Sequence, residues 1–216
     1  MTNKLARQPI GRQLHHQQCV QCHLGDNFTD EKFHALGFPQ IGPGMGDAGR
    51  DDLGRRRVSG HPDDAWAFRT PPLLNVELTG PFGHSGAYAS LFTVVDHYVF
   101  PRETVQDFLT GRQWCFLPPF TGVQGCAQDV IDVERNTRAA LNRMEQLRAL
   151  DPAAGMPLID PRRGSPQDTP HLVAFLQALT DPCLRDRSCF GRWIPRPEES
   201  PDGLQLNAVD AAGRPL

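Results

Sequence analysis

Cys19-Val20-Gln21-Cys22-His23 is where this sequence concentrates its chemistry. Two thiols on one helical turn match the two vinyl groups of a haem, and the histidine that follows at once offers an imidazole to the iron. C-x-x-C-H is the pattern of covalent c-type haem attachment, with the histidine as axial ligand. The competing chemistries are a redox dithiol and zinc. A closed zinc site asks for a second close pair of Cys or His ligands, and neither Cys115/Cys126 nor Cys183/Cys189 has that spacing.

At 216 residues the chain makes one large domain or two small ones. A net charge of −3 argues against a basic nucleic-acid-binding face. No apolar run reaches the length of a membrane-spanning helix. The 20 Gly and 20 Pro concentrate at residues 37–49, 152–170 and 191–203, which predicts long ordered loops. The four cysteines outside the motif bracket short loops. Two disulfides, which suit an oxidising compartment, and four buried thiols both fit. The start Met1-Thr2-Asn3-Lys4-Leu5 has no apolar stretch of a signal peptide, whereas haem c attachment implies export. The expectation is a periplasmic protein represented here by a fragment or processed form.

The elements that must position the site are mostly helical. Residues 4–22 read as a helix feeding the motif. Thr29 is placed to cap a short helix through Leu36, with Asp30 and Glu31 in its first turn; His34 on it is a surface or propionate-adjacent histidine. Residues 37–64 read as a loop that carries Met45, a candidate sixth ligand. Residues 68–76 should run extended and buried, with Arg69 a candidate partner for a haem propionate. His84 lies in a glycine-rich turn and is a ligand, a proton donor or a structural hydrogen-bonder. Ser90 caps a helix through Val99 on which Leu91, Val94, Val95 and Tyr98 share one face and His97 falls on the other. If that face covers the haem, the Tyr98 phenol points inward, where the iron or a carbonyl would satisfy it. Residues 101–127 read as an irregular insertion and 128–150 as a helix with Met144 in its core face. A connector carrying Met156 follows, then a helix opened by Thr169-Pro170 and a weakly patterned tail.

Several segments together resemble one family. In order they are the C-x-x-C-H motif, Asn27-Phe28-Thr29-Asp30 with Phe33-His34-Ala35-Leu36-Gly37, Phe68-Arg69-Thr70-Pro71 with Leu74-Asn75-Val76, Leu78-Thr79-Gly80-Pro81-Phe82-Gly83-His84-Ser85-Gly86, and Leu172-Val173-Ala174-Phe175-Leu176. They are similar to the C-terminal haem domain of bacterial di-haem cytochrome c peroxidases and MauG enzymes. The resemblance covers about residues 8–100 and 165–182. It implies a mainly α, cytochrome c-like helical haem domain with long Pro/Gly-rich loops, over residues 1–182 with an insertion at 101–167, and an extended tail over 183–216. It implies one covalent haem c with His23 as proximal ligand and Tyr98 at the distal position. Backbone carbonyls of Thr79 and Pro81 are implied as calcium ligands, completed from an N-terminal domain.

The chain departs from the family pattern in holding a single C-x-x-C-H, so the peroxide-binding haem is missing from it. A tyrosine where peroxidases place methionine follows MauG-like members and favours ferric and higher oxidation states. The implied function is an electron-transfer domain, relaying electrons for peroxide reduction or protein side-chain oxidation with an N-terminal haem domain or redox partner. The alternative is a stand-alone monohaem electron carrier without peroxidase activity.

Overall fold

The computed structural model describes residues 4–15, 19–41, 52–117, 120, 122, 126, 133–150, 165 and 167–200. Met45 and Met156 lie outside these residues. The chain divides into two compact units, 1–179 and 180–216. The described part is mainly helical, as expected.

In the first unit, α1 (Lys4–Leu14) packs on the helix at the other end of the unit, α6 (Asp168–Ala178). Gly11 makes that crossing possible: a Cβ there would run into the carbonyl oxygen of His171 and the Cβ of Phe175. The two backbones therefore meet with no side chain between them. Of the helix expected over residues 4–22, the structure describes α1 and a turn at 20–22, the Val20 amide donating to the His15 carbonyl at 3.0 Å; residues 16–18 lie outside the described residues.

The helix expected at Thr29–Leu36 is instead a strand. β1 (Phe33–Ala35) pairs antiparallel with β2 (Ala67–Arg69), with Phe33 opposite Arg69 and Ala35 opposite Ala67. Thr29 Oγ1 accepts from the Glu31 amide and Asp30 Oδ1 from the Lys32 amide. These local bonds hold turns that compete with a helix, and Glu31 sits at φ 55°. Between the strands come a one-turn helix, α2 (Arg56–Ser59), and a 3-10 turn at Pro62–Asp64.

α3 (Leu91–Val99) begins where expected, with Ser90 Oγ accepting from the Thr93 amide. The expected irregular insertion is corrected by α4 (Pro101–Thr110). Pro101 sits in its first turn, where a missing N–H costs nothing, and Thr104, Val105, Phe108 and Leu109 return to one buried face. That helical spacing was present in the sequence behind the proline. A disulfide joins Cys115 and Cys126, with Cα atoms 5.8 Å apart. α5 (Val133–Leu150) buries Val133, Ala140 and Met144, so Met144 is core, as its spacing implied. α6 starts at Asp168, one residue before the expected cap. Thr169 is inside it, fully buried, and its hydroxyl donates to Asp96 Oδ1 at 2.6 Å, tying α6 to α3.

In the second unit, the described part of the segment expected to run extended, residues 183–200, folds into short turns. Asp181 and Asp186 accept from the amides of Cys183 and Ser188, opening a 3-10 turn (Pro182–Arg185) and α7 (Arg187–Phe190). Cys183 and Cys189 are bridged.

A buried polar pair, His97 with Tyr88, sits in the core of the first unit. His97 was expected on the face of α3 opposite Tyr98; it does lie apart from Tyr98's cavity but is fully buried. Its Nε2 lies 2.9 Å from the Leu36 carbonyl and its Nδ1 2.8 Å from the Tyr88 hydroxyl. A carbonyl only accepts, so Nε2 carries the proton and the Tyr88 O–H donates to Nδ1. The His97 ring also stacks on Phe38, 4.3 Å between centroids. Two satisfied polar groups thereby cost the core little.

Two expectations follow from this packing. Phe108 is fully buried, so Phe108→Ala should lose about 3–5 kcal/mol in urea unfolding. Burial pushes the His97 imidazole down to about 4 from its ordinary 6.5, against the Leu36 hydrogen bond. Above 6.5 the imidazole is neutral folded and unfolded, and the full stability is present. As pH falls from 6.5 through 4 the unfolded chain binds a proton that the folded chain refuses, a loss on the order of 3 kcal/mol. His97→Gln should flatten that part of the stability–pH curve.

Candidate haem site

The motif forms a helical turn: the amides of Cys22 and His23 both donate to the Cys19 carbonyl, at 3.2 and 2.9 Å. The four other cysteines are bridged, and Cys19 and Cys22 are left unbridged. Burial pushes their thiols up, to about 12 for Cys19 and about 11 for Cys22. Both are therefore protonated at neutral pH, whereas a redox dithiol needs a thiolate.

His23 Nδ1 lies 2.8 Å from the Phe28 carbonyl. Because a carbonyl only accepts, Nδ1 carries the proton and Nε2 keeps its lone pair. Phe28 reaches this position through a backbone at φ 53°. Burial also lowers the His23 pKa, holding the ring neutral. A backbone hydrogen bond on one ring nitrogen is what fixes the other as a metal ligand.

The motif opens onto a cavity of about 370 Å³, within the range of small-molecule and cofactor sites. α3 contributes Leu91, Val94, Val95 and Tyr98 to its wall, the four positions that helical phase selected. α6 contributes Leu172, Phe175 and Leu176, and the loop after β1 contributes Leu36 and Phe38. The Tyr98 phenol is pushed upward by burial and then by the nearby Cys19 and Cys22 thiols, so it shares the cavity with both. The cavity thus offers an apolar wall, two thiols, an imidazole nitrogen with a free lone pair and a phenol. That donor set fits a haem held by two thioethers and two axial side chains.

The cavity rim carries polar groups. Arg69 reaches it, half-exposed, 3.8 Å from Glu31. His84 also lines the cavity, its ring stacked on Phe68 with centroids 3.5 Å apart and its Nε2 3.4 Å from Asp52. Burial lowers its pKa and Asp52 opposes the shift. Among the readings open for His84, stacking on Phe68 and the contact with Asp52 favour a structural role. His34 lines the cavity and pairs with Asp30 at 2.9 Å. Donor atoms of Cys22, Asp30 and His34 lie within 4.8 Å of one another. This is the nearest approach to a zinc-like cluster among the described residues, and it leaves out Cys19 and His23.

Thr79 and Pro81 are exposed, on either side of Gly80 and the cis Gly80–Pro81 bond. The Thr79 hydroxyl donates to the Val76 carbonyl. Two carbonyls fall far short of the roughly six to eight oxygens calcium takes, so these residues suit calcium only with donors from elsewhere.

Two residues at or behind the cavity were not singled out in the sequence. His15 is buried and lines it, its ring 5.5 Å from Phe28 and 5.1 Å from Phe175. It stands four residues before Cys19 and eight before His23, a helical spacing that marks it. Tyr88 lies behind Phe38, and nothing in its local pattern marks it.

No family model matches the chain. It is 32% identical over 102 residues to a cytochrome-c peroxidase, IdrP1, of Pseudomonas sp. (strain SCT), a match covering 37% of this chain and 27% of that protein. It is 37% identical over 83 residues to the methylamine utilization protein MauG of Methylorubrum extorquens, covering 38% and 21%. To the cytochrome c551 peroxidase of Nitrosomonas europaea it is 35% identical over 79 residues, covering 36% and 22%. The chain thus matches between a fifth and a little over a quarter of the length of these relatives. A solved structure of a MauG-like protein associated with microbial copper homeostasis covers 85% of this chain and 49% of its own, at 23% identity and a TM-score of 0.48. Over the stretch it shares with these relatives, the chain is similar to cytochrome-c peroxidases and to MauG.

Proposed function

We propose that this chain is a c-type haem electron-transfer domain of an oxidoreductase of the di-haem cytochrome c peroxidase and MauG kind. One observation carries the reading: the Nδ1–H of His23 is held by the Phe28 carbonyl, which leaves Nε2 free beside a cavity that Cys19, Cys22 and Tyr98 also line. A haem bound there supplies one-electron exchange through its iron. Cys19 and Cys22 would anchor it as thioethers, and His23 and Tyr98 would offer their side chains to its iron. The apolar residues of α3 and α6 exclude water, and Arg69 meets a propionate at the rim. With His23 and Tyr98 both serving the iron, peroxide would not be admitted here. Peroxide reduction or side-chain oxidation would belong to an assembly with a second haem domain or a redox partner, in which the carbonyls of Thr79 and Pro81 would help to hold calcium.

The two disulfides suit the periplasm. Among the described residues no helix is long and apolar enough to cross a membrane. The domain boundaries proposed are 1–182 for the haem domain and 183–216 for the tail.

The deciding measurement is electron paramagnetic resonance of the ferric protein. Tyr98→Phe should change its spin state and raise the reduction potential; unchanged spectra would remove Tyr98 as a ligand. A pyridine haemochrome without a c-type band would sink the haem reading altogether. Thiol titration of the unfolded, unreduced, haem-loaded chain should find no free cysteine. Two titrating thiols would mean that haem is not attached, and four would refute the disulfides.

A further inference from the structure

Behind the cavity wall, Tyr88 and His97 form a pair that packing does not require, since a phenylalanine at 88 would fill the same space. Tyr88 is 1% exposed and His97 not at all. The phenolic O–H has one acceptor, the neutral Nδ1 at 2.8 Å, and the ring that would receive its proton has its other N–H already anchored on the Leu36 carbonyl at 2.9 Å.

The pair also lies in a line of aromatic rings. Phe38, which lines the cavity, stands 5.7 Å from Tyr98 and 6.0 Å from Tyr88. On the far side Phe108 stands 6.0 Å from Tyr88 and 5.5 Å from Trp114. Three oxidisable rings, Tyr98, Tyr88 and Trp114, are thus each separated by a single phenylalanine.

We propose that Tyr88, hydrogen-bonded to His97, is a buried redox site that is oxidised by one electron to a neutral phenoxyl radical. The electron leaves the phenol for a one-electron oxidant. The O–H bond breaks and its proton forms a new N–H bond at His97 Nδ1, a transfer along a 2.8 Å hydrogen bond. Reduction returns the electron to the ring and the proton to the oxygen. The move places the positive charge on an imidazolium whose other N–H is held by a carbonyl, rather than on an unpaired ring in an apolar core. The oxidant is, by class, a metal centre oxidised above its resting ferric state. In the protein, the proposal rests on the haem reading for that oxidant, but its test supplies one from outside.

The ferric, haem-loaded chain is photo-oxidised with flash-generated tris-bipyridyl ruthenium(III), frozen and examined by electron paramagnetic resonance. The chain has two tyrosines, so the assignment is direct. A tyrosyl signal is expected that ring-deuterated tyrosine narrows, that Tyr98→Phe retains and that Tyr88→Phe abolishes. His97→Gln, which removes the proton acceptor, should cut the radical yield by at least about tenfold. Circular dichroism checks that each variant folds, and the deuterated wild type needs no variant. Absence of a tyrosyl signal in folded Tyr98→Phe, its survival in Tyr88→Phe, or an unchanged yield in His97→Gln would overturn the proposal. Failure of the haem reading is seen separately, as a missing c-type band in the same sample.

Discussion

The hydrogen bond from His23 Nδ1–H to the Phe28 carbonyl is the constraint on which the site depends. Without it the imidazole could rotate or carry its proton on either nitrogen, and the adjacent thiols would have no oriented partner. With it, one tautomer is set and one nitrogen is left for a metal. The bond also couples the motif to the fold. Phe28 must sit at positive φ to present its carbonyl, and its ring is held edge-on to Phe175 of α6 and to His15.

From that bond outward the structure is arranged by polarity. Apolar side chains of α3 and α6 enclose the cavity, while Arg69, His84 and His34 stand where it opens. Low dielectric inside the wall accounts for the direction of the shifts at Cys19, Cys22, His23 and Tyr98: the thiols and the phenol move up, the imidazole moves down, and each favours its neutral form. A neutral donor set around an apolar space suits a large flat cofactor better than a small cation. The second layer, Tyr88 and His97, satisfies its polar atoms internally and backs the cavity through Phe38.

Much of the site could be read along the chain, because its pieces are local. The C-x-x-C-H turn spans five residues, and the α3 stripe is a matter of helical phase, so both needed only spacing. The misreadings have physical causes. Thr29 and Asp30 have the residue types of a cap, but their oxygens close shorter turns, and β1 forms because β2, over thirty residues on, supplies its ladder. α4 was hidden by Pro101, which reads as a breaker although it stands in the first turn, where proline is tolerated. The burial of His97 depends on Tyr88 and on a carbonyl 61 residues away, which no local pattern encodes.

The sequence by itself determined the haem-type motif, the pairing candidates among the remaining cysteines, the phase that turns Tyr98 rather than His97 toward the cavity, and the apolar face of α6. Each is a property of residues a few positions apart, where covalent geometry and helical period act alone. Only the tertiary structure decided which nitrogen of His23 is free, that His15 joins the cavity, that Gly11 lets α1 and α6 meet backbone to backbone, and that Tyr88 and His97 share a proton-bearing bond. Those outcomes rest on contacts between distant segments, and such contacts exist only once apolar burial has brought the segments together.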